Sequence, residues 1–321
     1  MKAAVVAVVS ACTACTVTPA IGADSYPSKP VRMICPSVPG GTTDLAARIV
    51  AQKLSEDWKQ QVVVDNRGGA SGVIGSEMAA RAAPDGYTIL IVANGYMLNP
   101  FLNAKLPYDT LRDFERVTLF ASAPLVLVVH PTVAAQSLQE LIAAAKARPG
   151  TLNYGSSGLG SAGWLSMELL RNMTRTEMTH VPYKGAGQSS AAMVAGEVHM
   201  LVTAVPVGLQ FIKAGRLRAL GVTSVKRAAL LPQVPAIAEV LPGYEVLNVF
   251  GVLAPARTPA PVLDKLHQEI KRITALPAVK TQLDAIGFDG EDRGPAEFTA
   301  YVRAEMTKWG KVFAERGIKP E

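Results

Sequence analysis

The sequence predicts an α/β protein folded as two lobes, on three observations. The chain has 321 residues, enough for two domains of ordinary size with a core in each. Between Tyr26 and Phe120, apolar strands alternate with helical segments in the order βαβαβ, which calls for parallel strands joined by right-handed crossovers. Residues 117–129 form an apolar run too long for one ordinary strand, and Ser122-Ala123-Pro124 interrupts it, so it reads as a crossing into a second lobe.

The first strand is Val31-Arg32-Met33-Ile34-Cys35, and Leu45, Ala46, Ile49, Val50 and Leu54 recur at helical spacing behind it. The turn between them, Pro36-Ser37-Val38-Pro39-Gly40-Gly41-Thr42-Thr43-Asp44, places two glycines before a helix start with Thr42 or Thr43 as the N-cap. Glycine lets the backbone approach a ligand, and the helix start aims free N–H groups and partial positive charge at it, so the turn is a cradle for an anion or carboxylate. An ordinary capped βα turn has the same look. A short strand at 62–64 follows, then Asn66-Arg67-Gly68-Gly69-Ala70-Ser71-Gly72 and a helix through Ile74, Met78 and Ala82, closed by Pro84-Asp85-Gly86. Residues 87–92 form the third strand, ending at Ala93-Asn94-Gly95. Ligands of such sheets sit at the carboxyl ends of the strands, so the loops at Pro39, Gly69 and Asn94 should share one rim.

The second lobe opens on a capping box, Ser137-Leu138-Gln139-Glu140, and its helix stops at Arg148-Pro149-Gly150. A second cradle follows: a strand at 151–154, the loop Gly155-Ser156-Ser157-Gly158-Leu159-Gly160-Ser161, and a helix through Trp164, Leu165, Leu169 and Leu170. Strands at 179–183 and 199–203 flank a helix at 189–195, and residues 217–222 should be the return crossing. The remainder rebuilds the first lobe. Thr258 as N-cap and Pro259 as first helical residue start a helix buried through Val262, Leu263, Leu266, Ile270 and Ile273. Pro295 starts the last, with Phe298, Tyr301, Val302, Trp309 and Phe313.

Composition narrows the function classes. Lys2, the apolar run 3–9 and the small residues up to Ala23 have the form of a signal peptide spanning 1–23, with Cys12 as an alternative lipoprotein cleavage site. The run is too short, and too broken by Thr13, Thr16 and Pro19, for a membrane span. Cys12 and Cys15 would leave with it, and Cys35, alone, reads as a small core residue, so no disulfide and no cysteine metal site can be built. The net charge of +6 is spread along the chain without basic runs interleaved with aromatics, so a nucleic-acid surface is not indicated.

Catalytic patterns are wanting. Gly158-Leu159-Gly160-Ser161-Ala162-Gly163 matches G-x-G-x-x-G, but the next strand ends in Lys184-Gly185 instead of the acid that would hold a ribose. Neither Ser157 nor Ser161 sits in a G-x-S-x-G elbow. His130, His180, His199 and His267 have no metal-ligand spacing, and the carboxylates offer no acid–base pair. Two cradles on two lobes with no machinery between them describe binding without catalysis, cofactor or metal.

Six motifs, taken together, resemble the Bug family of solute-binding receptors of tripartite tricarboxylate transporters. They are Val38-Pro39-Gly40-Gly41-Thr42-Thr43-Asp44, Asn66-Arg67-Gly68-Gly69-Ala70-Ser71-Gly72, Pro84-Asp85-Gly86-Tyr87-Thr88, Asn153-Tyr154-Gly155-Ser156-Ser157-Gly158, His180-Val181-Pro182-Tyr183-Lys184-Gly185 and Ala254-Pro255-Ala256-Arg257-Thr258-Pro259. They run in the family's order over essentially the whole mature chain. The resemblance implies a two-lobed type II periplasmic binding protein fold, each lobe a mixed sheet flanked by helices, closing on a small carboxylate. The lobes would be 24–121 plus 223–321, and 122–222. Carried over, the ligand contacts are Gly40, Gly41, Thr42 and Asp44 from one lobe and Ser156, Ser157 and Ser161 from the other, with Ser71, Asn94 and Gly95 on the rim.

Two positions of that expected site depart from the family: Trp164 stands where histidine is frequent, and Thr203 where an acid is frequent. Without that acid a ligand ammonium loses its partner, which favours a mono- or dicarboxylate with an uncharged tail over an amino acid. Trp164 either covers an apolar part of the ligand or packs its helix. The implied setting is a periplasmic monomer that serves the membrane subunits of a transporter, or else feeds a sensor kinase.

Overall fold

A computed structural model describes residues 26–320. The expected signal segment 1–23 and Cys12 lie outside the described residues. The first lobe starts β1 (Val31–Cys35), α1 (Thr42–Trp58), β2 (Val62–Asn66), α2 (Val73–Ala80), β3 (Thr88–Val92), α3 (Gly95–Leu102). The strand β4 (Phe114–Val129) then leads to α4 (Leu138–Ala147), β5 (Asn153–Ser156), α5 (Ala162–Thr174), β6 (Thr179–Pro182), α6 (Ala186–Ala195), β7 (Met200–Ala204), α7 (Val205–Lys213) and β8 (Arg218–Val222). The chain closes with β9 (Leu247–Pro255), α8 (Ala260–Thr274), α9 (Pro277–Ala285), β10 (Asp289–Arg293) and α10 (Pro295–Arg316).

Two mixed sheets result, in an α/β fold of two lobes. The first runs β2-β1-β3-β9-β4-β10, with β2, β1 and β3 parallel and the other three contributing antiparallel pairs. The second runs β6-β5-β7-β4-β8, parallel through β6, β5 and β7 and antiparallel on both sides of β4. Each is covered on both faces. Along β3, Ile89 and Ile91 enter one core with Met33, Leu54 and Ile270, while Leu90 and Val92 enter another with Ile34, Phe114 and Phe298. Along β4, Leu125, Leu127 and Val129 face α5 residues, and Val126 and Val128 face Met193 and Val205. The two-residue period of a strand thus feeds four cores from two sheets, which is why these segments read as continuous apolar runs.

The crossing differs from the expected one. Ser122-Ala123-Pro124 does not interrupt β4, which is a single strand of 16 residues shared by both sheets. Pro124 pairs with Leu247 as the last step in the first sheet, and Leu125 pairs with Ala204 as the first step in the second. A proline lacks the N–H that a ladder needs, so it is tolerated where the strand changes partners. The return also lies elsewhere. Residues 218–222 form β8 inside the second sheet, and Ala228, Leu231, Val234 and Ala236 pack against Val126 and Val128, with Tyr244 and Val246 joining Leu127 and Trp164. The chain therefore re-enters the first sheet at Leu247, not after Val222, and residues 223–246 pack with the second lobe.

Helix starts are shifted as well. The N-cap of α1 is Gly41, not Thr42 or Thr43, and its side-chain help comes from Asp44 reaching back. The N-cap of α8 is Pro259 and not Thr258, whose hydroxyl donates to the Pro255 carbonyl. Ser137 caps α4 as expected, accepting from the Glu140 N–H, while Glu140 accepts from the Gln136 N–H.

Candidate functional site

Between the lobes lies a cavity of about 240 Å³. Its lining comes from the starts of five helices: Thr42 and Thr43 of α1, Asn94 and Gly95 at α3, Ser161, Ala162 and Gly163 at α5, Ala186 and Ser189 of α6, and Ala204 and Val207 at α7. Ser157, Thr203 and Asn248 complete the polar surface, and Leu125 and Val202 the apolar part. None of the lining residues is ionisable. First-turn N–H groups have no intrahelical acceptor, and each helix carries about half a positive charge at that end. Five such ends around one small space make it electropositive without a lysine or an arginine.

Asp44 builds the first turn from behind. Its carboxylate accepts from the Gly40 N–H at 2.9 Å, Arg48 Nε at 2.9 Å and Asn66 Nδ2 at 2.9 Å, and its exposure is 2 %. Burial pushes its pKa up, but the hydrogen bonds from Arg48, Gly40 and Asn66 outweigh that and hold it below the usual carboxylate value. Its charge is spent inside the loop, so a ligand does not meet it. Gly40 has φ of 79°, a left-handed value that glycine takes without strain. Beneath the turn, Cys35 is fully buried and its thiol is pushed up to about 12 by burial, with Asp44 adding to the effect. It is a core residue.

The second turn is held by hydroxyls. Ser161 caps α5, accepting from the Trp164 N–H at 3.3 Å and donating to the Gly158 carbonyl at 2.7 Å. Ser156 is fully buried, 2.7 Å from Nε2 of His180, and accepts from the Gly158 N–H at 3.1 Å. Burial holds the pKa of His180 down, and its ring stacks on Tyr154 at 5.0 Å. At Gly163 a Cβ would stand 2.5 Å from the carbonyl oxygen of Val202, so only glycine lets α5 lie this close on β7. That is the packing role a glycine-rich turn needs, here over a cavity of neutral donors.

Of the residues expected from sequence, the cavity gathers Thr42, Asn94, Gly95, Ser157, Ser161 and Thr203. Gly40, Gly41, Asp44 and Ser156 stand outside the lining and shape the turns. Asn94 spends its amide on β9, donating to the Leu247 carbonyl and accepting from the Val249 N–H. Ser71 lies at the rim, where its hydroxyl donates to the Leu159 carbonyl of the other lobe at 3.4 Å. Trp164 does not line this cavity. It is buried against Phe313 at 5.4 Å and His180 at 6.4 Å and borders a separate space.

Sequence reasoning missed Thr43, Ser189 and Asn248. The signal for Asn248 was a lone polar residue inside the apolar run 246–254; its amide donates to the Thr42 hydroxyl at 3.4 Å, joining β9 to the first turn. Three of the five helix starts, α3, α6 and α7, were also unread as donors.

Residues 46–318 match the profile of the Tripartite tricarboxylate transporter family receptor. The chain is 35% identical over 302 residues to protein BugT of Bordetella pertussis, covering 93% of each. Among solved structures, Rpa4515 of R. palustris with adipate superposes with a TM-score of 0.84 at 36% identity, covering 92% of this chain and 100% of that one. MatC of Rhodopseudomonas palustris with bound malate superposes at 0.79 and 28% identity, covering 89% of this chain and 99% of that one.

Proposed function

Because the chain belongs to the tripartite tricarboxylate transporter receptor family, we propose that its inter-lobe cavity captures a small carboxylate and hands it to membrane subunits of such a transporter. The observation that carries this is the meeting of five helix starts in a cavity with no ionisable lining residue. An anion there gains from helix dipoles, about 0.3–1 kcal/mol each and more where water is excluded, and from hydrogen bonds to N–H and hydroxyl groups. The volume, about 240 Å³, lies below the usual range for drug-sized ligands and favours a compact solute. The adipate of Rpa4515 and the malate of MatC are solutes of that kind. Thr203 offers a hydroxyl and no charge, so an ammonium group would be buried without a partner, and the preferred ligand is a mono- or dicarboxylate with an uncharged tail.

The remaining assignments follow. The protein works as an exported monomer whose mature chain starts near Asp24, and it carries no catalysis of its own. Among the described residues no helix is long and apolar enough to cross a membrane, and solved relatives include the periplasmic binding protein BugD. A thermal-shift screen of dicarboxylates, tricarboxylates, aromatic acids and amino acids tests the ligand class. Stabilisation by one or more acids without an amino group is expected, and stabilisation by amino acids alone rejects the assignment. Intact mass of the exported protein tests the start, and a lipidated Cys12 rejects it.

A further inference from the structure

Trp164 faces a space that the cleft reading leaves unused. Its side chain is 3 % exposed, and its indole N–H has no acceptor among the described residues. Unlike Nε1 of Trp58, which is sealed, that N–H keeps access to open space. The space Trp164 borders is a second cavity of about 330 Å³. The Gly158 turn divides it from the cleft: Leu159 lines the second cavity, Gly160 lines the first, and Leu102 of α3 bounds the second from the other lobe.

The charges around it do not cancel. Arg171 and Arg316 are matched by Glu168 and Glu177, with Arg171 2.6 Å from Glu168 and 3.0 Å from Glu177, and Arg316 2.9 Å from Glu177. Lys319, which also lines the cavity, has no carboxylate partner among the described residues. What remains is one cation and the unused N–H of Trp164, which keeps access to open space, together with the sealed, unpartnered Nε–H groups of Arg171 and Arg316, beside the hydrocarbon of Leu102, Leu159 and Ile318. An N–H that reaches open space and has no protein acceptor is available to an anionic one, and hydrogen bonds to a charged acceptor are the stronger kind.

We infer that this cavity is a second binding site, for a monoanion with a short apolar body whose carboxylate accepts from the Trp164 N–H in the field of Lys319. A single spare positive charge matches one carboxylate, and a second would lie against Glu168. The site is independent of what the cleft binds.

The test uses 4-fluorobenzoate, followed by fluorine NMR on the mature protein, with Ala186→Trp to fill the cleft from an exposed helix start. Saturable binding is expected in the parent protein and in Ala186→Trp, weakened at least tenfold in Trp164→Phe/Lys319→Gln. Since Trp164 is in the core, Lys319→Gln alone, on an exposed residue, serves as the second variant and should weaken binding about threefold or more. Binding that disappears in Ala186→Trp while Lys319→Gln leaves it intact places the probe in the cleft and overturns the inference. So does the absence of saturable binding at several millimolar, whatever the thermal-shift screen of the cleft reports.

Discussion

The carboxylate of Asp44 holds the N–H of Gly40 at 2.9 Å, so that the third residue of α1 fixes the turn in front of it. Arg48 and Asn66 use the same carboxylate, so its removal takes the acceptor from the Gly40 N–H and from Arg48 Nε and leaves the Asn66 amide only the Ser37 carbonyl. Asp44→Ala should therefore cost about 2–4 kcal/mol in urea unfolding, and ligand affinity should fall at least tenfold with the turn disordered. A loss under about 0.5 kcal/mol would show that the turn holds itself.

The same residue sets a pH dependence. Its folded pKa lies below the unfolded value of about 3.9, so the stabilisation it gives is complete above that value and is lost as pH falls through the folded pKa. Asp44→Asn should flatten the fall in stability between pH 5 and pH 3 relative to the parent protein. Urea titrations across that range decide it, and parallel curves would assign the acid loss to other groups.

Gly163 and Gly187 make a matched pair. Both begin helices at the cleft, but a Cβ at Gly163 would meet the Val202 carbonyl at 2.5 Å, while nothing stands within 4 Å of one at Gly187. Gly163→Ala should destabilise by about 1–3 kcal/mol and displace the start of α5 with loss of binding; Gly187→Ala should be neutral or stabilise by up to about 1 kcal/mol. Thermal melts with and without a stabilising acid separate them.

Closure is expected about the points where the chain changes sheets, Pro124 to Leu125 and Val246 to Leu247. A ligand that bridges the lobes shifts the population toward the closed form and raises the melting temperature through linkage. Small-angle scattering should show a smaller radius of gyration on binding, and superimposable curves with and without a bound acid would reject closure.

Much of this fold was legible because its strands and longer helices carry strong periodicity. The stripe of Val262, Leu266, Ile270 and Ile273 is buried as read. What escaped were elements whose pattern is erased by burial. In α3, Tyr96, Met97, Leu98 and Asn99 are all buried and Pro100 lies inside the helix, so no polar face shows in the sequence. In α7, Pro206 reads as a stop though it stands in the first turn, where its missing N–H costs nothing. The site was legible to the extent that glycine and hydroxyl residues mark the two turns. Trp164 illustrates the limit: spacing put it on the right helix, but the face it occupies depends on Phe313, which is 149 residues away and belongs to α10.

Thr203 decides charge selectivity in the cleft. It lines the cavity at the end of β7, is 8 % exposed, and pairs in register with Val126, so a side chain of similar size fits without moving the strand. Thr203→Asp would set a carboxylate in the wall of a space otherwise lined by neutral groups. At about 5 Å and an effective dielectric constant near 20, repulsion from a ligand carboxylate is about 3 kcal/mol, roughly a hundredfold in affinity. Thr203→Asn, equal in size to the aspartate and uncharged, should stay within about fivefold of the parent protein. Calorimetry with the best acid from the screen should give that order, and lowering the pH should return affinity to Thr203→Asp as its carboxyl is protonated, while Thr203→Asn shows no such recovery. Equal affinity in the aspartate and asparagine variants would place the ligand charge away from β7 and leave the five helix starts unequal, with α1 and α5 holding the carboxylate and α7 holding only its tail.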